Sequence, residues 1–193
     1  MNKKLMPFIL IFTLLLFKGC SGPTGPEGPS GPTGPTGPKG DPGDANIGVT
    51  FDLEGVNFTA ANQYTFGLTF DDADVNVLES DAVLVYIHWN DQKVGNETLA
   101  AWRLLPQTAI VDQGILMYNF DRTLKDFSVF LEGNFNLANL ASDWTQNQTF
   151  RVIVIPSDFA TRKSGGIDYT DYNAVKKLMN IDESKIRKIK VKK

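Results

Sequence analysis

His88 is the only histidine in the 193-residue chain and Cys20 the only cysteine, which removes most arrangements that activate a nucleophile or hold a transition metal. A Ser-His-Asp or Cys-His relay has to pass through His88, in the apolar run Val83-Leu84-Val85-Tyr86-Ile87-His88-Trp89, and no G-x-S-x-G elbow offers it a serine. A zinc cluster needs several His or Cys ligands, so neither kind can form. Asp71, Asp72, Asp74, Asn76, Glu79 and Asp81 crowd one short segment. Calcium takes such hard oxygen ligands, yet Asp71-Asp72-Ala73-Asp74 lacks the glycine and closing glutamate of an EF-hand loop, so a solvated acidic turn is expected. Trp89, Trp102 and Trp144 offer aromatic faces of the kind that stack on a pyranose ring, although tryptophans in alternating strands are expected to fill the interior. No pair of carboxylates singles itself out as the acid and base of a glycoside hydrolase. No catalytic residue, cofactor site or metal site is assigned, and a non-enzymatic protein is expected. Asn57, Asn96 and Asn147 head N-x-T triplets to which no role is assigned.

These residues sit in a stretch that reads as strands. Residues 49–53, 64–70, 82–89 and 99–105 alternate apolar and polar side chains with the period of a half-buried strand. Ile110-Val111 and residues 115–120 flank Asp112-Gln113-Gly114, a hairpin turn, and residues 127–131 and 150–155 add two more runs. Seven or eight antiparallel strands imply a mainly β head, an antiparallel β-sandwich or jelly roll. After Ile167 the period lengthens: Tyr172, Val175, Leu178 and Met179 share one face of a short C-terminal helix that Thr170 or Asp171 caps. Residues 185–193 then alternate basic and apolar side chains, as an edge strand guarded by lysines would. Contact of this basic tail with an anionic membrane or glycan is the alternative.

The N-terminal part has a different character. Lys3 and Lys4 precede thirteen almost unbroken apolar residues, 5–17, too few for a span of about 20 and right for a signal peptide over residues 1–19. Gly19-Cys20 closes the run with a small residue before a thiol, which resembles a lipobox and implies lipid attachment at Cys20. Gly22, Gly25, Gly28, Gly31, Gly34, Gly37, Gly40 and Gly43 then keep strict register through eight triplets, with proline in six of the eight second positions. With Gly at about 7% of residues, chance yields such a run on the order of once in a billion. Three polyproline II chains sharing an axis leave room there only for hydrogen, which is what a glycine period of three satisfies. In collagen-like families a Lys-Gly-Asp run, here Lys39-Gly40-Asp41, lets the lysine of one chain meet the aspartate of its neighbour. Residues 20–45 thus resemble the stalk of bacterial collagen-like lipoproteins, which implies a homotrimer; a single-chain polyproline II spacer is the alternative. Either form is extended, and 24 residues at roughly 3 Å each reach on the order of 70 Å. A collagen-like stalk before an all-β head, residues 46–193, is similar in architecture to C1q-like proteins, though that family's spaced aromatic and glycine pattern is absent.

From Cys20 onward there are 16 basic and 22 acidic side chains, and six of the basic ones lie in residues 183–193. An acidic body of this kind excludes a nucleic-acid partner. One cysteine excludes an intramolecular disulfide, so an exported head must be held by its core. The expected function is a non-enzymatic lipoprotein of the bacterial cell envelope, lipid-anchored to the outer membrane, whose spacer displays the head for binding or structural roles. Either face of that membrane suits such a stalk. A carbohydrate-binding head is the main alternative, a protein ligand is equally compatible, and a hydrolase ranks below both.

Overall fold

Alternation of apolar and polar residues makes strands here, and one run without that alternation, buried throughout, reveals which strand lies at the centre. The run is Phe150-Arg151-Val152-Ile153-Val154-Ile155 of β8, Gln148–Ile155, every residue of it buried. A strand is apolar on both sides only when both of its faces are covered. The structure, a computed structural model, describes residues 48–157 and 166–191, all within the unit Pro42–Lys193. The expected signal peptide, Cys20 and the eight repeat glycines lie outside these residues.

The described part is mainly β. A five-stranded sheet has the order β4-β3-β8-β1-β9, where β1 is Val49–Val56, β3 Ala82–Val94, β4 Glu97–Leu104 and β9 Arg187–Lys190. A four-stranded sheet has the order β2-β7-β6-β5, where β2 is Thr65–Thr69, β5 Gln107–Val111, β6 Gly114–Arg122 and β7 Asp126–Gly133. Among the described residues two short helices are α1, Ser142–Thr145, and α2, Tyr172–Leu178. Both sheets give residues to one core: Phe51, Val85 and Val152 from the first, Leu116, Phe127 and Val129 from the second. Phe51 meets Phe127 at a centroid distance of 6.2 Å, and Phe58, in the loop after β1, meets Tyr118 of β6 at 6.3 Å and Phe150 of β8 at 6.0 Å. Each such side chain contributes about 1.5–3 kcal/mol by leaving water, and in a head without disulfides this is the main source of stability.

The other face of the five-stranded sheet is covered by α2. Tyr172, Val175 and Met179 pack there on Tyr86, Ile153 and Ile155 in a second apolar cluster. Asp171 caps the helix, its side chain accepting from the Asn173 N–H at 2.9 Å. Seven residues are too few for an isolated helix, so the docking face rather than propensity maintains it.

Several features differ from the expected pattern. There are nine strands among the described residues, not seven or eight, and one pair is parallel: β9 lies alongside β1 with Leu53 opposite Ile189. The basic tail is therefore an edge strand, but one that returns in the direction of β1. Strand β3 continues five residues past the expected end at 89 and pairs with β4 out to Val94 opposite Glu97. This overhanging hairpin is exposed on both faces, so no alternation marks it. A register shift between His88 and Asn90 leaves Trp89 as an extra residue, a bulge. In the β5–β6 hairpin the turn is Asp112-Gln113, and Gly114 already pairs with Val111. Glycine is required there: φ is +143°, and a Cβ would stand 2.3 Å from the Asn134 Oδ1 that accepts the Ile115 N–H at 2.8 Å.

Candidate functional site

The α2 side of the five-stranded sheet carries a row of polar and aromatic residues fixed by strand register. Tyr86 of β3, Arg151 of β8, Asp52 of β1 and Lys188 of β9 stand opposite one another in turn. Arg151 and Asp52 are only 5% and 4% exposed, and the guanidinium grips the carboxylate with both ends, at 2.7 Å through Nε and 2.9 Å through Nη2. Its remaining nitrogen, Nη1, donates to Tyr172 Oη and, at 3.0 Å, to Glu183 Oε1. Glu183 also accepts from Tyr172 Oη at 3.0 Å and from Lys176 Nζ at 2.8 Å. Burial works against the charge on Arg151, but the hydrogen bonds and charge of Asp52 outweigh it and hold the group more firmly protonated than usual. Burial likewise pushes the phenols of Tyr86 and Tyr172 up, so both are neutral donors. Tyr86 Oη donates to the Tyr169 carbonyl at 2.6 Å. With every nitrogen of Arg151 engaged, the cluster fastens α2 to the sheet.

Trp102 connects this cluster to an open cleft. Its ring lies 4.1 Å from the Arg151 guanidinium carbon and 5.9 Å from the Tyr172 ring, an arrangement that holds a large aromatic side chain in one pose. The cleft has a volume of about 410 Å³ and runs between the β3–β4 hairpin and the start of α2. Gln92, Leu99 and Trp102 line one side, with Thr170, Asn173 and Lys176 on the other. That volume suits a small ligand. An aromatic ring flanked by two amides, a hydroxyl and the charged groups of Asp171, Lys176 and Glu183 offers a stacking surface together with polar donors and acceptors.

The other two tryptophans are elsewhere. Trp89 and Trp144 meet edge to face at 6.0 Å, and Trp89 also meets Tyr118 at 6.3 Å. Arg103 covers the Trp89 ring at 4.1 Å, and Tyr118 Oη donates to the Trp144 carbonyl at 2.6 Å. This pair closes one end of the core, half-buried and not fully interior, beside a hollow of about 200 Å³ that includes His88, Asp143 and Gln148. His88 is half-exposed; its Nε2 lies 3.0 Å from Asp91 Oδ1 and its ring 5.4 Å from that of Trp102. Among the described residues no hydroxyl group completes a relay with His88 and Asp91. Asp71, Asp72, Asp74, Asn76 and Glu79 are exposed in the β2–β3 connection, whereas Asp81 is buried and accepts from the Leu78 N–H at 2.9 Å. No group of three or more His, Cys, Asp or Glu side chains able to hold a metal ion occurs among the described residues. Asn57 Oδ1 accepts the Asn147 N–H at 2.8 Å, tying two of the three N-x-T asparagines together, and Asn96 stands in the exposed β3–β4 turn.

Sequence reasoning missed the Arg151–Asp52 pair, although a signal was present. Each is a charge flanked directly by apolar residues, Phe51-Asp52-Leu53 and Phe150-Arg151-Val152, and a buried charge is retained only with a partner. The chain matches no family model, no curated protein and no solved structure.

Proposed function

We propose that this protein is a non-enzymatic lipoprotein of the bacterial cell envelope, anchored to the outer membrane by lipid on Cys20, in which a collagen-like spacer displays a β-sandwich head. The observation that carries this reading is the unbroken register of eight Gly-X-Y triplets placed directly after the only cysteine. A lipid anchor needs a free N-terminal segment, and a stiff spacer serves a head that acts at a distance from its membrane. A core shared by two sheets supports the sandwich. Sedimentation equilibrium of the chain from Ser21 onward, beside residues 46–193 alone, tests the assembly. A trimer that falls apart to monomers when the repeat is removed supports the reading. Monomers in both cases reduce the repeat to a single-chain tether.

A second reading, a carbohydrate-binding head, is favoured by the cleft beside Trp102, because an aromatic ring with neighbouring amides is the chemistry that recognises a sugar face and its hydroxyls. Trp102→Ala is then expected to abolish retention on immobilised envelope polysaccharide, while Trp144→Ala leaves it in place. Equal retention of wild type and Trp102→Ala removes the cleft from consideration.

A further inference from the structure

The four-stranded sheet has one face in the core and the other uncovered among the described residues. Leu116, Tyr118, Phe127 and Val129 point inward, so the alternation of β5, β6 and β7 puts Ile110, Ile115, Met117 and Phe130 on the outer face. Ile110 and Ile115 stand directly opposite each other in the ladder. Ile110 is 89% exposed and Ile115 46% exposed. Strand β5, Gln-Thr-Ala-Ile-Val, is also a sheet edge with no charged residue, in contrast to the edge strand β9 with Arg187, Lys188 and Lys190. A bare isoleucine pair beside an unguarded edge marks an interaction surface.

Charge narrows the occupant. The outward positions of this sheet include no lysine or arginine, and their three carboxylates are Asp121, Asp126 and Glu132, the last accepting from Asn119 Nδ2 at 2.5 Å. Such a face does not suit an anionic membrane, a phosphorylated glycan or a nucleic acid. It does suit copies of itself, and the sequence supplies those copies. The repeat ends at Ala45, and β1 opens at Val49, so residues 46–48 alone intervene. Three residues reach at most about 11 Å. Three chains joined through the repeat therefore hold their heads at an effective concentration on the order of millimolar, enough to close a weak apolar contact.

We propose that the outer face of the four-stranded sheet, centred on Ile110 and Ile115 with Met117 and Phe130, is the surface through which three heads meet around a common axis. The contact supports a triple helix that eight triplets without it hold only marginally. This rests on the trimeric reading of the repeat.

The test compares the chain from Ser21 onward with its Ile110→Lys/Ile115→Lys variant and with Leu78→Lys, a control at a leucine 57% exposed in the β2–β3 connection. Sedimentation equilibrium reads assembly, and the circular-dichroism band of the triple helix reads its melting. Because the substituted side chains are exposed, the near-ultraviolet spectrum of the head is expected to stay unchanged. The double variant is expected to raise the concentration at which the trimer dissociates by at least about tenfold and to lower the melting temperature of the repeat, while Leu78→Lys leaves both as in the wild type. A double variant that assembles and melts like the wild type overturns the head contact, leaves the repeat-driven trimer standing and frees the face for a different partner. Equal weakening by Leu78→Lys also overturns it, since added charge alone then accounts for the effect. A wild-type chain that stays monomeric overturns the contact and the trimer together.

Discussion

Arg151 and Asp52 form an ion pair out of reach of water, and the two members are worth more to each other than to the fold. Replacing such a pair with well-packed apolar residues is often neutral, whereas removing one member leaves a buried charge without its counterpart. Arg151→Met is accordingly expected to cost about 3–5 kcal/mol in urea denaturation, and the double variant Asp52→Leu/Arg151→Met to recover most of that loss. A loss in the double variant as large as in the single one would show that packing around Trp102, not the charge, is what Arg151 provides. Arg151 is also the residue through which the cleft depends on the core. Its guanidinium stacks on Trp102 while its hydrogen bonds run to β1 and α2, so the single substitution is expected to loosen the Trp102 ring as well.

At the level of elements, α2 is the piece whose attachment can be titrated. Burial tends to raise the pKa of Glu183, but hydrogen bonds from Lys176, Tyr172 and Arg151 outweigh it and hold the carboxyl below its ordinary 4.5. A carboxylate lowered in the folded state contributes stability that is fully present above its unfolded value and is lost as the pH falls through the folded one. The helix is therefore expected to loosen from the sheet as the pH drops below about 4.5, seen as faster amide exchange in α2 than in β8, and Glu183→Gln to flatten that acid limb. Tyr172, Val175, Leu178 and Met179 announced this helix in the sequence because a docked face leaves its 3.6-residue period. Strands with one buried face, such as residues 127–131 of β7, were legible for the same reason. The overhang of the β3–β4 hairpin was not, since residues 90–94 are exposed on both faces and carry no period. Nor was the parallel direction of β9: the alternation of Ile189 and Val191 with lysines fixes a strand and its inner face, not its neighbour. The cleft was hidden for a related reason, because it joins a hairpin to a helix far along the chain, and the contact that fixes Trp102 comes from a third element. Composition could flag Trp102, Asp52 and Arg151 singly; only the register of three strands sets them side by side.

On the scale of the whole molecule, the head closes its core without a disulfide, with both sheets filling one interior and α2 sealing the far side of β8. A head of that kind can be carried on a tether of any sort, so its fold leaves the role of the repeat to be decided by the repeat itself. The two forms proposed for the repeat differ at the glycines. In a triple helix each glycine hydrogen faces the shared axis, and a Cβ there presses on two other chains at once. In a single polyproline II chain the same Cβ points into water, and alanine at a former glycine even stiffens the segment. Gly34 lies near the middle of the eight triplets, where fraying cannot absorb the defect. Gly34→Ala is thus expected to abolish the circular-dichroism melting transition of the repeat and to shift the chain from trimer to monomer in sedimentation, with the denaturation of the head unchanged. Persistence of the trimer in Gly34→Ala, with the head's Ile110 face intact, would move the whole burden of assembly to the heads. A chain monomeric before and after the substitution would leave the spacer a stiff single strand and make the distance it spans, on the order of 70 Å, its only contribution.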